Sequence, residues 1–421
     1  MPSKIHLRPA KAKATKANDF LKAEQRRPPI AYTKPIFDEP EITAVLDVLK
    51  NGWLGMRDKA TELERAISKR IGTAHCRLCN SGSSANLLAI TSLEFPKSSE
   101  VITPACTFPT TVNPILQNGL IPVFVEVNSG FVLDATLVEQ AISPKTKAIV
   151  VPHLLGNVAN MALLSTLAKQ YNLALIEDCC DAFESRWNDK NCGTFGTAGT
   201  YSLYASHHFT AAGEGGAVVS NNEHYHNTLQ MYRDWGRAGD WTWSQETRYK
   251  VKLLDGTPFD DRYYFRVIGY NLKMTEMQAA FALAQMQRLD GFRKRRVANF
   301  HALYNVFSEY PDFFQLVAWE KEADPAWFTF PFLVKPNSRF TRNEALAFFQ
   351  KNGIEGRTLF VGNILLHPAY ESIPCRVAGD LSFSNTIAKT GMFIGIGPHM
   401  EQNDIAYIAQ KIEALCTKAL C

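Results

Sequence analysis

The sequence predicts an α/β fold, with a large domain on a mostly parallel sheet and a smaller C-terminal α/β domain. Three observations predict it. Short apolar, β-branched runs alternate with helical patterns from about residue 40 to 220. These runs are apolar at consecutive rather than alternate positions, as in strands covered on both faces. A long helical pattern then leads into a second, shorter set of strands and helices. With 421 residues, 46% of them hydrophobic and 20% charged, the chain can bury a large core.

The expected elements follow in order. Residues 1–29 are a basic N-terminal tail, without an apolar run of secretory length. The tail docks on a neighbour or stays solvated. Helices are expected at Glu41–Lys50, Thr61–Ile71, Ser84–Leu93, Thr110–Gln117, Val138–Ile142 and Met161–Gln170. Strands are expected in "VITPAC", "IPVFVEV", "KAIVVPHLLG", "LALIEDCC", "AGTYSLYAS" and "GGAVVSN". Segment Asp240–Tyr264 is polar, aromatic and aperiodic, and reads as a long loop over a site or interface. A long helix over Met274–Lys294 joins the large domain, 30–290, to the small one, 291–421. The small domain is read from "FTFPFLVKP", "RNEALAFFQKNGI", "MFIGIGP" and a final helix near Asn403–Thr417.

Charge narrows the function classes. Residues 1–27 hold eight Lys or Arg against Asp19 and Glu24, so the rest of the chain, with 37 basic and 39 acidic residues, is slightly negative. That body lacks the positive face that nucleic-acid binding requires. No run reaches the roughly 18 apolar residues of a membrane span, so a cytoplasmic protein is expected. Nine scattered cysteines suit a reducing compartment. Cys76 and Cys79 in "HCRLCN" read as a strand edge rather than a metal site, because no second pair stands at zinc spacing.

Three motifs can carry chemistry. In "NSGSSANLLAI" (80–90), a Gly-Ser-Ser turn opening a helix offers backbone amides and a positive dipole end to a phosphate. In "LALIEDCCDA" (173–182), an apolar strand ends in Glu177 and Asp178 at the ligand edge, where one carboxylate can pair with a protonated ring nitrogen or simply cap a helix. In "YSLYASHHFTAAGEGGAVVS" (201–220), His207 and His208 occupy a turn before a glycine pair, where a histidine can act as a base near neutral pH.

Together with "NGWLG", "TPACTFPTTVNPI", "HLLGNVANM" and "YNLKMTEMQAA", these motifs make the chain resemble the DegT-like family of sugar aminotransferases and dehydrases, from about residue 30 to its end. The resemblance implies the type I, aspartate-aminotransferase fold of pyridoxal-phosphate enzymes. It implies a cofactor set of Gly82, Ser83, Ser84, Phe108, Asp178, Asp181, Ser202 and Asn271. Within that set Ser83, Ser84 and Ser202 cradle the phosphate, Phe108 stacks on the pyridine ring and Asp178 keeps the ring nitrogen protonated. Asn271 reaches toward the neighbouring subunit's phosphate, so a homodimer with shared sites is implied.

The family's aminotransferases place a Schiff-base lysine five residues after the serine. Here that position is His207, in a "YASHH" context similar to the dehydrase branch. Histidine cannot form the covalent link but can move a proton, so the resemblance implies pyridoxamine phosphate bound noncovalently and 3-dehydration of a nucleotide-linked 4-keto-6-deoxyhexose. His207 is the expected base, with His208 the alternative. Several stretches are similar to the CDP-4-keto-6-deoxyglucose 3-dehydrases, which hold a [2Fe–2S] cluster on four cysteines. Here Cys180 remains, but no cysteine lies between Cys192 and Cys375, so no cluster is expected. Glutamate as amino donor, or a separate reductase, would then restore the cofactor. Other readings are a noncatalytic regulatory protein, a different elimination, or an aminotransferase that uses another lysine.

Overall fold

The computed structural model describes residues 27–238, 248–336 and 338–417. Two helices, α1 (Glu39–Asn51) and α2 (Asp58–Ile71), precede β1 (His75–Cys79) and α3 (Gly82–Thr91). Then come β2 (Glu100–Pro104), α4 (Pro109–Gln117), β3 (Ile121–Val125), β4 (Thr146–Pro152), α5 (Met161–Gln170) and β5 (Ala174–Asp178). A short pair, β6 (Arg186–Trp187) and β7 (Lys190–Asn191), leads to β8 (Ala198–Ser202), β9 (Gly216–Ser220) and α6 (Glu223–Arg233).

The large sheet has eight strands in the order β1-β9-β8-β5-β4-β2-β3-β16, where β16 is Arg376–Val377. Strands β8, β5, β4, β2, β3 and β16 run parallel, and β9 is antiparallel to both its neighbours. Val101, Val150, Ile176 and Val218 pack into one apolar cluster, while Ile102, Val151, Leu175 and Val219 pack into the other. Successive strand side chains face opposite ways, so continuous apolar runs serve two helix-covered faces. The same alternation sends Cys76 and Cys79 into different clusters, on opposite sides of edge strand β1. They cannot share one metal ion.

Helices α7 (Glu276–Met286) and α8 (Leu289–Ser308) replace the single long helix expected over 274–294. Arg288 opens to φ −101°, ψ −8°, and its guanidinium is held by Asp38 and Glu41. That tie to α1 breaks a helix which periodicity alone would have continued. A second sheet follows, β12 (Phe314–Leu316), β14 (Phe330–Val334), β17 (Gly391–Ile394) and β15 (Gly356–Thr358), all antiparallel. Strand β13 (Ala323–Asp324) pairs with β6, and α9 (Arg342–Lys351), α10 (Ser382–Thr390) and α11 (Gln402–Thr417) complete the described chain. We propose a domain division near residue 290, at the start of α8, with β16 crossing back to the large sheet.

Two more expectations need correction. Val138–Ile142 is not an α-helix, because two 3₁₀ turns, Ala135–Leu137 and Glu139–Ala141, stand there before Pro144. The Asp240–Tyr264 loop, of which 239–247 lie outside the described residues, contains a hairpin of β10 (Val251–Lys252) and β11 (Pro258–Phe259). Its turn is Asp255-Gly256, with Gly256 at φ +86°, a hairpin signal that the polar composition masked. Residues 1–26 of the basic tail also lie outside the described residues. No helix among the described residues is long and apolar enough to cross a membrane.

Candidate active site

The parallel strands end along one edge of the large sheet, and a cavity of about 560 Å³ opens there. Its floor begins at α3. Ser81 caps this helix, accepting from Ser84 N at 3.1 Å and donating to Ser84 Oγ at 3.0 Å. The first amides of a helix have no intrahelical acceptor and carry the positive end of its dipole. Gly82 and Ser83, in this first turn, line the cavity opposite Ser202 at the end of β8. A Cβ on Gly82 would lie 2.6 Å from Ser202 Cβ and 3.0 Å from Cys180 Sγ, so only glycine lets the two walls approach. Gly82→Ala is therefore expected to weaken pyridoxamine-phosphate binding about tenfold or more, from overpacking of roughly 1–3 kcal/mol, as read by fluorescence titration.

β5 delivers two adjacent carboxylates to opposite sides. Asp178 faces the cavity, and its Oδ2 accepts from Asn86 Nδ2 and Thr111 Oγ1, both at 2.8 Å. Behind these, Thr200 donates to Asn86 Oδ1 at 2.5 Å and Thr107 donates to Thr111 at 2.9 Å. Oδ1 accepts the Cys180 amide at 3.2 Å, and the Cys180 thiol hydrogen-bonds the same carboxylate. A carboxylate with one oxygen fully engaged and the other facing the cavity suits a protonated heterocyclic nitrogen. Glu177 is wholly buried instead. Its Oε1 accepts from the amides of Phe195 (2.7 Å) and Gly196 (3.1 Å), and its Oε2 from Gly193 (2.7 Å). Oxygen atoms so occupied make the nearby His153–Glu177–Cys179 cluster a structural knot rather than a metal centre.

His207 sits in the turn after β8 and lines the cavity, its ring edge-on to Phe328 at 5.0 Å and to Tyr204 at 5.9 Å. Its Nε2 lies 3.9 Å from Asp181 Oδ1. Burial, seconded by the Arg296 cation, pushes His207 from 6.5 down to about 3. Burial pushes Asp181 from 3.8 up to about 7, against a hydrogen bond from Leu155 N at 3.2 Å and with help from the Asp178 charge. Burial thus favours the neutral form of both groups.

This has a measurable consequence. Asp181, raised in the fold, adds stability that is present below 3.8 and lost as pH rises through about 7. His207, lowered in the fold, costs stability as pH falls from 6.5 toward 3. Between 3.8 and 6.5 unfolding moves one proton from aspartate to histidine and exchanges none with solvent, so the two slopes cancel. Asp181→Asn removes one of them. Its thermal midpoint should fall more steeply than the wild type's on acidification through 6.5.

The opposite wall comes from Tyr32, Phe108, Arg357, Phe360 and Phe393, with Phe108 about half exposed and edge-on to Phe360 at 5.6 Å. Arg357 lies over the Tyr32 ring at 3.9 Å. None of the lining residues is a lysine.

Of the sequence-derived site residues, Gly82, Ser83, Phe108, Asp178, Asp181, Ser202 and His207 meet in this cavity. Three do not. Ser84 is engaged with Ser81 beside it. Asn271 is exposed and accepts from Lys273 Nζ at 2.7 Å. The His208 ring is buried away from the cavity, with Nε2 2.5 Å from Ala326 O. His208 is therefore misplaced as a candidate base, because a turn residue next to His207 points its side chain the other way. Sequence reasoning missed Asn86 and Thr111, which lay unread inside quoted motifs, and Arg296, which carried no local signal at all.

The residues present fit a phosphorylated pyridine: amides at a helix N-terminus, a glycine-only gap, an aromatic ring and a half-engaged aspartate share one cavity.

Comparison with known proteins agrees. A family model described as the DegT/DnrJ/EryC1/StrS aminotransferase family matches residues 35–413. The chain is 38% identical over 388 residues to the lipopolysaccharide biosynthesis protein RfbH of Salmonella typhimurium, covering 89% of this chain and 88% of that one. It is 35% identical over 407 residues to the dTDP-4-dehydro-2,6-dideoxy-D-glucose 3-dehydratase of Saccharopolyspora spinosa, covering 93% and 87%. Among solved structures, the E. coli GDP-4-keto-6-deoxy-D-mannose-3-dehydratase with bound hydrated PLP superposes with a TM-score of 0.83 at 27% identity, covering 91% of this chain and all of that one.

Proposed function

The chain belongs to the DegT/DnrJ/EryC1/StrS aminotransferase family, and from that premise we propose that it binds pyridoxamine 5′-phosphate and removes the 3-hydroxyl of a nucleotide-linked 4-keto-6-deoxyhexose. One observation carries this reading. The cavity holds six of the eight groups expected for the cofactor, all but Ser84 and Asn271, and it offers the histidine His207 and no lysine.

When bound, the cofactor supplies an electron sink joined to the sugar's carbonyl carbon. The α3 amides, Gly82 and Ser202 hold its phosphate; Phe108 covers its ring; Asp178 Oδ1 keeps its nitrogen protonated. Burial keeps His207 in its neutral form, so that a ring nitrogen is available to take a proton from carbon. The relatives named as 3-dehydratases of dTDP- and GDP-sugars support the substrate class.

We assign no iron–sulfur cluster. Cys180 lines the cavity, but Cys79 and Cys192 are buried, and the chain has no thiol between Cys192 and Cys375. Glutamate as amino donor, or a separate reductase, restores the cofactor. The exposed Asn271 fits a homodimer with shared sites, in a cytoplasmic enzyme of deoxysugar assembly.

The test is direct. Protein loaded with pyridoxamine phosphate and given CDP-, GDP- and dTDP-linked 4-keto-6-deoxyhexoses should yield, with one of them, a sugar without its 3-hydroxyl, read by mass spectrometry. An intact 3-hydroxyl with all three would refute the reading. Borohydride treatment of protein loaded with pyridoxal phosphate, followed by peptide mapping, should leave no lysine carrying the reduced cofactor. A modified lysine at the site would make the protein an ordinary aminotransferase.

A further inference from the structure

We propose that Asp181 is the acid of the elimination, donating a proton to the departing 3-hydroxyl that lies between its Oδ1 and His207 Nε2. The inference rests on the dehydration reading above and adds a second catalytic group to it.

Geometry comes first. Asp181 and His207 both line the cavity, on different segments, with Oδ1 and Nε2 3.9 Å apart. That gap is too wide for a direct hydrogen bond but suits one oxygen atom within about 2.7–2.8 Å of each. Asp181 is oriented for this. Its Oδ2 accepts from Leu155 N at 3.2 Å, so Oδ1 is the oxygen turned to the histidine. Leu155 holds φ +57°, ψ +21°, a left-handed conformation that costs a branched residue energy. Phe328 N, donating to Leu155 O at 2.8 Å, helps to hold it there.

Charge points the same way. The groups facing the pair are Asp178 and Cys180 beside Asp181, and Arg296, His208 and Tyr204 around His207. The Asp178 charge favours a proton on Asp181, and the Arg296 charge keeps one off His207. Paired groups pushed apart in this way take the acid and base roles of one reaction.

The step balances. His207 Nε2 takes the proton from the carbon bearing the amino nitrogen, and the released C–H pair moves toward the sugar. The bond between carbon 3 and its oxygen breaks with its pair on oxygen, and the Asp181 proton joins that oxygen to form water. The water then lies between HisH⁺ and the carboxylate and passes the proton from one to the other. His207 ends neutral and Asp181 protonated, ready for another turnover. The elimination consumes no oxidant or reductant.

The experiment uses the full chain. In cofactor-free protein labelled with ¹³C-aspartate, one buried carboxyl should titrate near neutrality, and Asp181→Asn should abolish that resonance. A wild-type Asp181 ionised throughout the working range would overturn the proposal. In the loaded wild type, kcat should fall as pH rises through about 7. Asp181→Asn should lose about 10²-fold or more in kcat and lack that alkaline limb. It should still exchange the cofactor's methylene hydrogen with deuterated solvent when substrate is present, because His207 is intact. A variant with kcat within threefold of wild type but weakened cofactor binding would make Asp181 a cofactor contact only and overturn the proposal. Should Asp181→Asn not fold, the carboxyl titration and the alkaline limb of the wild type still decide. Wild-type protein that leaves the 3-hydroxyl in place refutes the dehydration reading itself, whereas a working wild type with an unimpaired variant refutes only the role of Asp181.

Discussion

His207→Asn should lower kcat by roughly 10²- to 10⁴-fold, the usual contribution of a positioned general base, with thermal stability and pyridoxamine-phosphate affinity close to wild type. Asparagine fills a similar volume but has no lone pair basic enough to take a proton from carbon. The surrounding contacts survive the change. Arg296 donates to the His207 carbonyl at 3.0 Å, a bond that belongs to the backbone. The phosphate cradle and Asp178 are carried by α3, β8 and β5, away from the substituted ring. The deuterium wash-in described for Asp181→Asn should disappear here, since the missing group is the one that touches the C–H bond. Full activity in His207→Asn would move the base elsewhere. His208, hydrogen-bonded to Ala326 O at 2.5 Å and buried, is badly placed to take over.

The second large effect is structural. Glu177→Ala should cost about 3–5 kcal/mol, since removing one side of a buried charged network strands the other. The amides of Gly193, Phe195 and Gly196 would lose their acceptor inside the protein, where water does not replace it. Gly196 and Gly193 tolerate no correction by a larger side chain, because a Cβ on either would lie 2.1–2.2 Å from Leu175 O or the Tyr201 hydroxyl. A fall in thermal midpoint, together with loss of soluble protein, is the expected result. Asp178→Asn, one residue along, should instead leave the midpoint near wild type and weaken cofactor binding, and this contrast between neighbours tests the division of labour in β5.

That division was only half legible in the sequence. The apolar run before Glu177 and Asp178 marked a strand ending at the ligand edge, and strand geometry requires that the two side chains diverge. Nothing local says which one faces the cavity. The answer lies in Asn86, Thr111 and the 193–196 loop, brought in by crossovers. The strands were the easiest elements to read, because burial on both faces forces apolar residues onto consecutive positions. The helix break at Arg288 was hidden because its cause, Asp38 and Glu41, lies some 250 positions away. The helix start at α3 was legible as a motif. The pairing of Asp181 with His207 was not, since each was read for a different role. Only the distance between them suggests one reaction.

The bond from Arg296 also has a mechanical side. This guanidinium, carried by α8 and with no hydrogen bond at its Nε, grips two carbonyls: that of Phe328, just before β14, and that of His207. The histidine turn is therefore tied to α8 through the His207 carbonyl and, through the His208 ring, to Ala326 O on the segment that leads into the second sheet. Asp178 and the N-terminus of α3 are instead carried by the first sheet and its covering helix. In the proposed reaction the base is thus positioned in part from the second sheet, and the cofactor contacts from the first.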